Sequence, residues 1–226
     1  MNSAAAPFLF HQLGLDSGAL TILGAIVHRF TTPGEYRGVS LRADKRDAVF
    51  FVTVEKGLAA NQVNIDLATL QAPSDPSCGC VAAGAERRFT VGANGYGVFH
   101  VSGGPGGFAV HLGLAAEAPP EHREFDSVKL RNGDLFAATI LRPGVYKVSN
   151  LAQAKSEGLR IDVAYPRASQ KPFQPPPPIR IKATERGFDP GGRAELMATQ
   201  GCIFVCEATS RIKIELQKAH DPPKNN

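Results

Sequence analysis

Tyr96–Leu114 reads YGVFHVSGGPGGFAVHLGL. Two alternating segments flank a turn punctuated by Gly-Pro-Gly, which makes this the clearest supersecondary signal in the chain. Phe99, Val101, Phe108, Val110 and Leu112 share one parity, and Tyr96, Val98, His100, Ala109 and His111 share the other. Side chains alternate along a strand with period two. A hairpin that points the first set inward therefore brings His100 and His111 together on the opposite face.

Strand signals recur outward from this stretch. Ala48–Glu55 (AVFFVTVE) is strongly β-branched and aromatic, Gln62–Leu70 begins with clean alternation, and Val39–Leu41 and Arg87–Val91 are shorter. Ser127–Arg131 and Asp134–Ile140 flank Asn132-Gly133, a dipeptide suited to a two-residue hairpin turn. Val145–Val148 and Arg160–Tyr165 follow. Asp16–Phe30 carries both helical spacing and β-branched residues, and is read as a strand. No segment has a long amphipathic helical pattern, so the chain is expected to be all-β.

Pro-Gly-x-aromatic occurs three times, at Pro33–Tyr36, Pro105–Phe108 and Pro143–Tyr146. Proline presets φ, glycine takes the strained turn position, and the aromatic enters the next strand facing the core. The pattern resembles the corners of immunoglobulin-like and cupredoxin-like sandwiches, where a tyrosine also bonds to the backbone. That resemblance implies an antiparallel β-sandwich over residues 31–166, after an apolar segment at 1–30. Arg167–Pro178 (RASQKPFQPPPP) reads as a Pro-rich linker, because consecutive prolines favour a stiff polyproline II rod and cannot join a ladder. Beyond it lie a short C-terminal β extension (179–218) and a polar tail (219–226). The extension is too small to be stable alone, so it is expected to dock on the main domain or on a neighbouring subunit.

Composition narrows the function classes. The 226 residues are 43% hydrophobic and 20% charged, enough for a sizeable core. The net charge of +4 is spread over scattered pairs such as Lys45-Arg46 and Arg87-Arg88, which gives no footprint for nucleic acid. The longest apolar run, Ala19–Val27, is about half a bilayer span. The N-terminal residues lack a basic n-region, so a cytoplasmic protein, or one in a cytoplasmically assembled particle, is expected without a signal peptide.

Candidate chemistry is sparse. Cross-strand histidines at His100 and His111 would lie roughly 5 Å apart at Cβ if directly opposite, close enough to share copper or zinc. Further ligands would come from His28, His122, Glu121 or Asp126, though none is placed by spacing, and no blue-copper Cys–Met–His set is present. Cys78 and Cys80 in PSCGC, with Cys202 and Cys206 in GCIFVC, are read as structural thiols. A staple between the two pairs, or a metal site, is the alternative. On a strand, Cys202 and Cys206 lie about 13 Å apart, too far for a mutual disulfide. Gly103–Gly107 has no following helix and no Gly-Lys-Ser/Thr, which removes a phosphate loop. There is no G-x-S-x-G elbow, and Glu121, Glu124 and Asp126 read as solvent-facing acids.

The expected role is therefore a non-catalytic structural or interaction subunit with protein partners or copies of itself. It would associate through edge strands and the C-terminal extension, without a cofactor. A copper- or zinc-binding sandwich using His100 and His111, or an accessory subunit of an enzyme complex, is the runner-up.

Overall fold

A computed structural model describes residues 13–43, 45–70, 87–116, 124–166 and 176–220. These residues form an all-β structure of three sheets. One five-stranded sheet has the order β6 (Arg87–Gly92), β4 (Lys45–Glu55), β3 (Gly34–Arg42), β8 (Phe108–Leu114), β9 (Phe125–Asp126). The other has the order β1 (Gly14–Asp16), β17 (Ile212–Ala219), β11 (Gly144–Asn150), β12 (Leu159–Ala164), β15 (Gly192–Met197). A central seven-stranded sheet runs β14 (Phe188–Asp189), β13 (Ile179–Ala183), β16 (Gly201–Cys206), β10 (Leu135–Thr139), β2 (Gly24–Arg29), β7 (Tyr96–His100), β5 (Gln62–Asp66).

The order of the strands reveals a duplication. The Pro-Gly-x-Tyr corners at Tyr36 and Tyr146 belong to a repeat whose opening segments share an offset of 110 residues, which also pairs Asp16 with Asp126, Ser17 with Ser127 and Leu20 with Leu130. Each pairing in one half has a counterpart in the other: β3–β4 matches β11–β12, β2–β7 matches β10–β16, and β8–β9 matches β17–β1. The two halves meet where β2 runs antiparallel to β10, with the equivalent residues Ile26 and Phe136 directly opposite each other. A pseudo-twofold axis passes through that pair.

The halves are also interlocked. Ser17 donates its N–H to the Ile212 carbonyl (2.9 Å) and its Oγ accepts from the Ile212 N–H (3.0 Å). Ser127 does the same with Val110, at 2.9 and 2.8 Å. The opening strand of each half therefore completes the sheet of the other half. Three residues later each segment returns to its own half, where Leu20 bridges Phe108 and Leu130 bridges Ser210. Both serines are fully buried, so each hydroxyl supplies an acceptor to an amide that water does not reach.

Within each half the chain passes from sheet to sheet. From β4 to β7 it alternates between the first five-stranded sheet and the central sheet, so β6 lies parallel beside β4 and β7 parallel beside β5. β12 to β16 repeat this solenoid-like coil with parallel β12–β15 and β13–β16 pairs. The expected purely antiparallel sandwich is corrected to this mixed topology.

The same passage overturns both expected hairpins. β7 and β8 do have the predicted inward and outward parities, but they lie in different sheets, and 103–107 arches between them. Gly106 holds φ +75° within the arch, and a Cβ there would come within 2.6 Å of Thr21 Cγ2. Asn132-Gly133 does form a turn, with Gly133 at φ +92°, but it joins β9 and β10, again in different sheets. Ser127–Arg131, read as a strand, is a turn beyond β9. Residues 179–218 supply β13 to β17, which pair with β10, β11, β12 and β1.

Aromatic rings join the layers. Phe99 of the central sheet stacks on Phe125 at 5.4 Å and meets Phe50 at 6.3 Å, both from the first five-stranded sheet. In the other half Leu15, Tyr146 and Ile214 close on Leu23 and Ile140, which flank β2 and β10. The corner tyrosines bond as expected: Tyr36 donates to the Thr32 carbonyl at 2.8 Å, and Tyr146 to the Arg142 carbonyl at 2.7 Å. Burial pushes the Tyr146 phenol up to about 12.

One exchange shows the repeat preserving volume. A Cβ on Gly38 would lie 2.3 Å from Cζ of Phe50, its partner in the β3–β4 register. The equivalent pair in the other half is Val148 and Leu159, with bulk moved from one strand to the other. Gly38→Val alone should cost about 1–3 kcal/mol in urea unfolding through overpacking, and Gly38→Val with Phe50→Leu should recover most of that. Ser17→Ala and Ser127→Ala should each cost about 1–3 kcal/mol in the same measurement, because each leaves a buried strand amide unpaired.

Candidate functional site

The outer faces of the three sheets differ in chemistry. On the second five-stranded sheet, Lys147, Arg160 and Arg193 form a register row with Glu215, and Asp162 and Glu195 lie beside them. Arg160 Nε lies 3.0 Å from Asp162 Oδ1, Arg193 Nη2 3.0 Å from Glu195, and Lys213 Nζ 2.7 Å from Glu215. The first five-stranded sheet carries Arg37, Phe51 and Arg88 in the corresponding row. There the Arg88 guanidinium sits 4.6 Å over the Phe51 ring and 2.6 Å from Glu35. Both are solvated faces that carry charged side chains, with ion pairs among them.

The central sheet is different. Its outward row Asn64–Val98–Val27–Leu135–Val205–Lys182 crosses six strands, and the next row is Asp66–His100–Ala25–Ala137–Ile203–Arg180. Seven aliphatic side chains, Ala25, Val27, Val98, Leu135, Ala137, Ile203 and Val205, thus form a continuous strip, each partly exposed. They point away from the core that Ile26, Phe99, Phe136 and Phe204 form on the inner face of the same strands. Sequence periodicity marks these residues as the half-buried side of each strand. Their union into one patch needs the strand order, which joins β7, β2, β10 and β16 across the pseudo-twofold.

The rim of this strip has opposite character at its two ends. Asp66 accepts the Ser102 hydroxyl at 2.5 Å and the N–H groups of Ser102 and Ala68 at 3.1 Å each. Burial works against its charge, but these donors, with His100 nearby, hold the carboxyl below its usual range, so it is an anion. The equivalent residue in the other half is Lys182, 2.8 Å from Glu207, which in turn is the equivalent of Ser102. Arg180, equivalent to Asn64, is exposed and makes no ion pair among the described residues.

The histidines expected to share a metal are separated. His100 lies on β7 opposite Ala25 and Asp66, whereas His111 lies on β8 opposite Val39 and Asp126. His111 Nε2 is 3.3 Å from Asp126 Oδ1, a direct side-chain contact between two of the residues considered for a metal site. Its meaning is clear from the other half, where Asp16 receives both Nε (3.1 Å) and Nη2 (3.0 Å) of Arg211 and faces Lys213, the equivalent of His111. A basic side chain on or next to the receiving strand contacts the aspartate at each joint, His111 in one half and Arg211 in the other. Among the described residues no three His, Cys, Asp or Glu side chains group as metal ligands.

His28 meets Asp134, with Nδ1 donating to Oδ1 at 2.7 Å across the β2–β10 junction, and Asp134 also accepts the Arg131 N–H at 2.7 Å. The dyad-related residues are Ala138 and Gly24, so this polar contact occurs once. Cys206 lies next to Asp134 in the same inward row. Cys202 and Cys206 are free and buried, and burial pushes both thiols up to about 12, which keeps them protonated and poor nucleophiles. Cys202 donates to the Ala138 carbonyl at 3.4 Å. Cys78, Cys80, Glu121 and His122 lie outside the described residues. No described helix is long and apolar enough to cross a membrane.

No protein-family model, curated protein or solved structure matches the chain.

If His111 serves as a basic tether for Asp126, His111→Lys should unfold within about 0.5 kcal/mol of the parent. Asp126→Ala, which also removes the acceptor of the Val128 N–H, should cost about 1–2 kcal/mol. A zinc-dependent rise in melting temperature that His111→Lys abolishes would contradict this role.

Proposed function

We propose that this protein is a non-catalytic β-sandwich subunit whose role is structural association, through the outer face of its central sheet. The observation that carries this reading is the aliphatic strip from Val98 to Val205, set between two outer faces that are laced with charge. Isolated surface aliphatics are ordinary, but a contiguous strip with a polar rim is the signature of a contact surface.

The expectation of association through edge strands shifts to this face. Among the described residues, the edge strands β6 and β15 carry Arg87, Arg88, Arg193 and Glu195, and charges on an edge oppose strand addition. Residues 179–218 take part through Ile203 and Val205 of β16, which supply one side of the strip. The sandwich reading rests on contacts between layers, Phe99 with Phe50 and Phe125 in one half and Tyr146, Leu15 and Ile214 with Leu23 and Ile140 in the other, with solenoid-like parallel pairs where an immunoglobulin constant domain has antiparallel ones. The chemistry fits a non-catalytic role: the described thiols are protonated and buried, and the carboxylates at the strand joints are engaged in tethering contacts.

Native mass spectrometry of the purified protein tests this. Species containing more than one polypeptide are expected, and Leu135→Lys with Val205→Lys should return the chain to its 24.0 kDa mass. A lone chain at every concentration would contradict the proposal.

A further inference from the structure

We infer that the partner on the central sheet is a second copy of the same chain, related by a twofold axis parallel to the strands. This inference rests on the proposed role of that face as a contact surface. Its independent support is the arrangement of charge around the strip.

Asp66 and Asn64 end the two outward rows on β5, and Arg180 and Lys182 end the same rows on β13. A face rimmed by one sign of charge needs a partner of the other sign. This face carries both, at opposite ends, and so is complementary to itself. Rotation about an axis parallel to the strands and centred on the β2–β10 junction lays β5 of one copy over β13 of the other. Asp66 then meets Arg180 of the second copy, Asn64 meets Lys182, and the two aliphatic strips are stacked. Each contact occurs twice, as an isologous interface requires. An axis across the strands would instead bring the two β5 ends together and the two β13 ends together, with Arg180 on Lys182 and Asp66 on Asn64.

The anion is fixed in place, since Asp66 is held by three donors, and Arg180 has no ion-pair partner of its own among the described residues. The duplication makes the contrast sharper: Asp66 and Lys182 are equivalent positions of the two halves, and the halves differ in sign there. Six strands at about 4.8 Å spacing make the face about 24 Å wide, and five residues make it about 17 Å long. That footprint lies at the small end for a specific interface, so the dimer is expected to be reversible in the micromolar range.

Sedimentation velocity from about 1 to about 500 µM tests the inference. The expected result is a monomer–dimer equilibrium that salt weakens. Arg180→Glu, which confronts Asp66 with a like charge, should raise Kd about tenfold or more. Asn64→Asp, which gives Lys182 an opposite charge, should lower Kd several-fold. Both substitutions are at exposed positions, and their urea midpoints should match the parent's. Leu135→Lys should abolish the dimer. Weakening by Asn64→Asp would mean that the two β5 ends face each other, setting the new carboxylate against Asp66, and would overturn the assigned axis. A dimer indifferent to Leu135→Lys would overturn the face. A complex with a different polypeptide would overturn self-pairing and leave the contact-surface role standing, whereas a bare monomer throughout would overturn both.

Discussion

The reciprocal exchange of opening strands is the constraint on which the rest of the structure depends. Ser17 hooks the start of the chain onto β17, and Ser127 hooks the start of the second half onto β8, each through a two-way hydrogen bond. Asp16 with Arg211, and Asp126 with His111, pin the same joints from the outer side. Because each half lends its first strand to the other, β2 and β10 emerge side by side. The two inner sheets then become one sheet of seven strands. The contact face follows from this: neither half alone has an aliphatic strip four strands wide, and the strip exists only because the seam is closed.

The duplication separates structural residues from divergent ones. Where both halves keep the same side chain, as at Asp16 and Asp126, Ser17 and Ser127, or Tyr36 and Tyr146, the bond it makes is also the same. Where the halves differ but compensate, as in Gly38 with Phe50 against Val148 with Leu159, the requirement is volume. Ser40 is different again. It is buried with its hydroxyl unpaired among the described residues, while its equivalent Asn150 bonds to Ser210 and Arg211. The sign change between Asp66 and Lys182 is matched by a change of partner, Ser102 in one half and Glu207 in the other, and it lies on the rim of the contact face.

Much of this was legible in the sequence, up to a definite point. The all-β class, the inward parity of Phe99, Phe108, Val110 and Leu112, and the tyrosine corners all follow from local alternation and turn chemistry. The destination of each strand does not. Period-two alternation reports that one face is buried, and reads the same whether the next strand lies beside it or across the core. Gly103–Gly107 and Asn132-Gly133 were therefore recognisable as turns, but their role as arches between sheets depends on Leu20 and Cys206, which hydrogen-bond to them from distant parts of the chain. The separation of His100 from His111 follows directly. Of the three short corner motifs, two, at Tyr36 and Tyr146, mark the repeat itself. Its extension to the Asp-Ser hooks becomes evident only when both serines are seen to bond in the same way. The aliphatic strip was the least legible feature, since its members come from β2, β7, β10 and β16.

The most direct test of the interlocked architecture is a urea titration of the full chain followed residue by residue through its amide NMR signals. Exchange of the opening strands makes each half part of the other's sheet. Amides of both halves, Val110 and Ile212 among them, should therefore lose native intensity at one common midpoint. Two separate transitions, with residues 13–116 and 124–220 unfolding at different urea concentrations, would contradict the account.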